Sequence, residues 1–148
     1  MSATLTATDR IRKTPNVCGG SARIGDHRIT VWHMVLDKKM GLSDASILSQ
    51  YPALTQDDLD ACWDFYRRHP VEIEQDIWFN DTAANQAADG TVPPWVVVAG
   101  CLLGIAREDV CDSFDPPLTP ADVDAAWAAY RADPAAIERQ IARHRQYE

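Results

Sequence analysis

The chain has 148 residues, 46% hydrophobic and 24% charged, which suits one ordinary domain or two small ones and excludes a long disordered tract. Its net charge of −8 excludes a protein that is basic throughout. Residues 1–43 nevertheless carry seven basic side chains against three acidic ones, so a basic arm able to meet nucleic acid precedes an acidic body.

Residues 1–20 are polar and then turn-like. Between residues 22 and 31, β-branched side chains flank Gly25-Asp26, which predicts a two-strand hairpin. A hairpin so small is marginal alone, and its edge would gain from pairing with the same hairpin in a second subunit. From Val31 the spacing becomes helical, with Trp32, Val35, Leu36 and Met40 on an apolar face and Asp37, Lys38 and Lys39 outward. Gly41 ends that helix. Ser43 caps a short second helix carrying Ile47, Leu48 and Tyr51, which Pro52 stops.

Thr55 opens a third helix whose Leu59, Cys62, Trp63 and Tyr66 keep the i, i+3, i+4, i+7 spacing, and Pro70 starts a fourth. Three short helices with tight turns form the pattern of a helix-turn-helix bundle. Residues 80–93 are rich in Ala, Asp, Asn and Thr and read as a linker holding a worn copy of the hairpin.

The pattern then returns. Residues 118–141 restate residues 54–77, with Val123, Ala126, Trp127 and Tyr130 on the same stripe, and Thr119 with Asp122 matching the capping pair Thr55 with Asp58. Trp95, Gly104, Val110 and Phe114 match Trp32, Gly41, Ile47 and Tyr51, with one residue inserted at 115–117. The expected fold is mostly α: two tandem three- or four-helix modules, the first preceded by a short β-hairpin. Residues 1–79 form the first helix-turn-helix module with its arm. Residues 94–148 form the second, degenerate one, with a basic tail.

The copies differ where function would lie. His33, Asp37, Lys38 and Lys39 of the first copy become Val96, Gly100, Cys101 and Leu102 in the second, leaving a helix apolar all round. Such a helix is buried all round, by its own chain, a second subunit or a partner. The last helix, capped by Asp133, ends in Arg139, Arg143, His144 and Arg145. These complement the helix dipole, or reach an acidic pocket on a partner.

Thr14-Pro15-Asn16-Val17-Cys18-Gly19-Gly20, Arg23-Ile24, Arg28-Ile29-Thr30-Val31-Trp32, Gly41, Ile47, Tyr51-Pro52 and Leu54-Thr55 together resemble the bacterial domain-of-unknown-function family 433 over about residues 10–77. Residues 88–141 resemble it faintly. The resemblance implies a homeodomain-like helix-turn-helix fold, and some members look like VapB-type antitoxins encoded beside a PIN-like nuclease toxin. The usual Gly-Thr-Arg turn is here Gly25-Asp26-His27-Arg28, with the glycine one place early.

A helix-turn-helix reader presents the N-terminus of its second helix to base edges. Here that end carries Asp57, Asp58 and Asp60, which repel phosphate. The candidate DNA-binding surface is therefore the arm and hairpin: Arg10, Arg12, Lys13, Arg23 and Arg28, joined by Lys38 and Lys39. The alternative is that these are scattered solubilising charges. His27, His33, His69 and His144 show no metal-ligand spacing, Cys62 falls on the apolar stripe, His69 reads as a helix cap, and Gly19-Gly20 lacks the context of a phosphate loop. No enzyme, metal or cofactor is expected.

Cys18, Cys62, Cys101 and Cys111 form no C-x-x-C pair and read as reduced cytoplasmic thiols. The apolar run 95–105 is too short to span a bilayer. The expectation is a cytoplasmic homodimeric antitoxin that neutralises a nuclease-like toxin, with operator DNA as a second partner and Val96, Gly100, Cys101, Leu102, Arg139, Arg143 and Arg145 at the toxin contact. The alternatives are a stand-alone DNA-binding regulator or a structural dimerisation module.

Overall fold

The computed structural model of the chain describes residues 10–13, 20–25, 27–83 and 91–145, and these fold as a mostly α protein with one short antiparallel strand pair. Cys18, Asp26, most of the worn hairpin copy and the side chains of His144 and Arg145 lie outside the described residues.

Strand β1 (Ile11–Arg12) pairs with β2 (Arg23–Ile24), Ile11 opposite Ile24 and Arg12 opposite Arg23. This corrects the predicted hairpin over 22–31. Thr30 is already the N-cap of the helix that follows, so the run after Gly25 has too little length left to serve as a strand. It meets β2 through a single bridge, Arg23 to Thr30, with the Ile24 amide donating to the Ile29 carbonyl at 3.0 Å. The edge expected to seek a second subunit is covered instead by the chain's own arm.

The helices α1 (Val31–Lys39), α2 (Asp44–Gln50), α3 (Gln56–Arg68) and α4 (Pro70–Ile77) fall where the periodicity puts them. Gly41 and Gly104 end the first helix of each copy with φ of 92° and 83°, a region open to glycine at little cost. Ser43 accepts from the Ser46 amide at 3.2 Å and fixes the start of α2. The Cys62 stripe is core, as its spacing implies. Burial pushes the Cys62 thiol up to about 12, with the Asp58 charge adding to the effect, so the group is no thiolate at neutral pH.

The repeat is reproduced element for element: α5 (Pro94–Leu102), α6 (Arg107–Asp112), α7 (Pro120–Ala132) and α8 (Pro134–Arg145). A π-helical turn, Trp78–Thr82, runs on from α4. The inserted segment carries a cis Asp115–Pro116 peptide.

The chain divides into two compact units between Ile73 and Glu74. The spacing of polar residues puts the first boundary after residue 79 and makes 80–93 a linker. The difference has a physical cause: Trp78 and Ala83 are buried in the core of the second unit with Val97, Val98, Val110, Val123, Ile137 and Ile141. The first unit buries Ile24, Val31, Met34, Ile47, Leu59, Cys62 and Ile73. Each such side chain contributes about 1.5–3 kcal/mol by leaving water.

Candidate partner-binding surfaces

The N-terminus of α3 carries a reciprocal capping box. Thr55 Oγ1 accepts from the Asp58 amide at 3.3 Å, and Asp58 Oδ2 accepts from the Thr55 amide at 2.9 Å. Asp58 has a second oxygen to spare, and Arg10 Nη1 donates to it at 2.8 Å while Arg10 Nη2 lies 3.8 Å from Asp57. Burial pushes the Asp58 carboxyl up, but the hydrogen bonds from Thr55 and Arg10 outweigh it and hold the group below the usual carboxylate range.

The arm's first arginine is thus consumed within the fold. Lys13 pairs with Glu72 and Lys38 with Asp44 at 2.8 Å. Lys38 also lies 5.5 Å from the centre of the Trp63 ring, and Lys39 5.7 Å from that of Tyr66.

Arg23 requires a correction. Expected as a DNA contact, it is buried, and its Nη1 donates to the carbonyls of Gly25 at 2.9 Å and His27 at 3.3 Å. It holds the turn that replaces the hairpin loop and offers no charge at the surface. Arg12 and Arg28 remain exposed.

One cluster escaped sequence reasoning. His33 Nε2 lies 3.3 Å from the Tyr51 hydroxyl and 3.7 Å from Asp37 Oδ1. Asp37 Oδ2 is buried without a hydrogen-bond partner among the described residues. Burial pushes the Asp37 carboxyl up, and the neighbouring His33 acts against it. A signal was available: His33 and Asp37 stand at i, i+4, and the second copy replaces the whole set together, with Val96, Gly100 and Phe114. Among the described residues no group of His, Cys, Asp or Glu side chains is placed to hold a metal ion.

In the second unit the cover over the apolar helix comes from within the unit. A Cβ at Gly100 would lie 2.7 Å from Cε2 and Cζ2 of Trp78, whose Nε1 donates to the Val96 carbonyl at 2.8 Å. Gln75 Nε2 donates to the Leu103 carbonyl at 2.7 Å. Val96 and Gly100 are therefore core positions. That corrects their assignment to a partner contact, because the indole fills the space that a longer side chain at residue 100 would take. Cys101 is half-buried, Leu102 is 56% exposed and Phe79 is 40% exposed. Arg139 and Arg143 point outward on α8. Asp133 accepts from the Ala136 amide at 3.2 Å, so the last helix is capped as expected.

Residues 11–66 match the model of a family described as protein of unknown function, DUF433. A crystal structure of a DUF433 member protein from Anabaena variabilis is 43% identical, over 47% of this chain and 68% of that one, with a TM-score of 0.46. No curated protein matches the sequence. The chain belongs to the DUF433 family, whose match lies within the first unit. No helix among the described residues is long and apolar enough to cross a membrane.

Proposed function

We propose that the chain works by binding a protein, as the antitoxin of a pair whose toxin is a nuclease-like enzyme, and that it acts in the cytoplasm as a homodimer without catalysing a reaction. The observation that carries this reading is the fate of the basic residues. Arg10, Lys13 and Lys38 are each paired with a carboxylate of the fold and Arg23 is buried. Asp57, Asp58 and Asp60 occupy the end of α3 that would face a phosphate backbone. Affinity for DNA rests largely on cations that neutralise phosphates, and such a surface has few to give. An acidic body complements the basic rim of an enzyme that holds RNA. The resemblance to a family of which some members look like VapB-type antitoxins supports the same reading. Leu102, Arg139 and Arg143 are the exposed residues assigned to the toxin contact.

The test is co-expression with the neighbouring gene. The two products co-purify, and growth arrest caused by the neighbour alone is relieved. Failure of both removes the reading. Exposed Arg12 and Arg28 favour a second reading, a DNA-binding regulator of its own promoter. It predicts a mobility shift that weakens steeply with salt and is lost in the double variant Arg12→Glu, Arg28→Glu.

A further inference from the structure

The two units share one architecture, and one set of matched positions is covered in the first and bare in the second. In the first unit Val31, Leu54, Asp58 and Ala61 are buried, Val31 to 0% and Ala61 to 1% exposure. Their counterparts Pro94, Asp122 and Ala125 are exposed and Leu118 is half-buried. Over the α3 part of this region in the first unit lies the arm: β1 packs against α3, Ile11 is buried, and Arg10 bonds Asp58. In the second unit the same region is a groove of about 430 Å³, walled by Val92, Val97, Leu118 and Ala126 and edged by Asp122. Asp122 Oδ2 accepts from the amide and the hydroxyl of Thr119, which hold its carboxyl below the usual range. No arginine is paired with it among the described ion pairs.

We propose that this groove is a docking seat for an extended segment of a partner protein in which an arginine stands beside a β-branched aliphatic residue, taking in the second unit the place that Arg10 and Ile11 take in the first. The first unit supplies the template. An aliphatic side chain fills the apolar wall, and a guanidinium meets the capping carboxylate, whose Oδ2 already accepts from the amide and the hydroxyl of Thr119. The proposal rests on the protein-binding reading and names the chemistry of the bound segment. The exposed carboxylate selects against an acidic segment, and the narrow wall of Ala125 and Ala126 leaves room for a backbone to approach.

The test uses the full chain and a synthetic peptide of its own residues 9–31 as probe, followed by NMR titration. The peptide shifts the amides of Val97, Asp122 and Ala126. The variant Ala125→Arg, which fills the groove from an exposed position, weakens binding at least tenfold, and so does replacing the peptide's Arg10 by Ala. Binding also weakens as salt is raised. Three results would overturn the proposal. The peptide fails to bind at millimolar concentration; Ala125→Arg leaves binding unchanged; or Ala125→Arg lowers the melting temperature of the free chain, which shows the seat already filled by the chain itself. Should Ala125→Arg not fold, Asp122→Asn replaces it, with the same expected loss. A partner that co-purifies while the peptide fails places the contact elsewhere and sinks only this proposal. Peptide binding with neither co-purification nor relief of growth arrest sinks only the antitoxin reading.

Discussion

At the scale of single residues, Gly100 and Asp37 occupy matched positions and solve opposite problems. Gly100 is small because Trp78 lies against it, and a Cβ there would overlap the indole. Gly100→Ala is expected to destabilise the second unit by about 1–3 kcal/mol, since a close-packed core gives way by moving backbone or ring. In a Trp78→Phe background the cost shrinks. A urea-denaturation double-mutant cycle measures the difference, and additive effects would refute the contact. Asp37 is large and polar in a buried place. Its folded pKa is raised, so the native state holds the proton more tightly than the unfolded chain does. That contribution is full below the unfolded value and is lost as pH rises through the folded one. Asp37→Asn removes the buried charge while keeping the shape. The variant is expected to equal or exceed the parent at pH 7, by about 1 kcal/mol. The advantage closes as the pH falls toward the ordinary carboxylate value, where the parent's Asp37 is itself neutral. An advantage that grows on acidification would show the sign to be wrong.

At the scale of elements, the capping boxes at α3 and α7 are alike in geometry and differ in what they hold. Thr119→Ala breaks one reciprocal pair and should cost about 1 kcal/mol, read from the thermal unfolding midpoint. Asp58→Asn costs more than that loss alone at neutral pH, because Asp58 also ties down the arm through Arg10. Its folded pKa is lowered, so its contribution is present above the unfolded value and disappears as pH falls through the folded one. The gap between parent and Asp58→Asn is therefore widest near pH 7 and closes in acid, and a constant gap from pH 7 to 2 would contradict the ion pair. These boxes, the terminating glycines and the helical stripes were legible because each is local: a cap is written within four residues and a stripe within eight. The partners of Asp58 and Gly100 were not. Arg10 lies 48 positions from Asp58, and nothing in a two-residue strand at Ile11–Arg12 distinguishes it from loop. The apolar character of Val96, Gly100, Cys101 and Leu102 suggests a helix buried all round. Of these, only Val96 and Gly100 are buried, while Cys101 is half-buried and Leu102 is exposed. That character could not say that the cover was Trp78, because a lone tryptophan at a helix end carries no periodicity.

At the scale of the whole molecule, the boundary between units decides which pieces fold alone. Spacing of polar residues places it after residue 79, but packing places it after Ile73, with Trp78 of the π-helical turn and Ala83 just after it contributing to the second core. A unit of this size has a total stability of roughly 4–11 kcal/mol by the usual per-residue scale. Removing a buried tryptophan costs about 3–5 kcal/mol of that. It would also strip the cover from Gly100 and leave the Val96 carbonyl without its indole donor. A fragment of residues 74–148 is accordingly expected to unfold in one cooperative thermal transition. A fragment of residues 80–148 is expected to melt broadly and to bind a dye for exposed apolar surface. Circular dichroism and dye fluorescence on the two fragments check this. Equal midpoints would mean that Trp78 is not part of that core and would restore the boundary at residue 79.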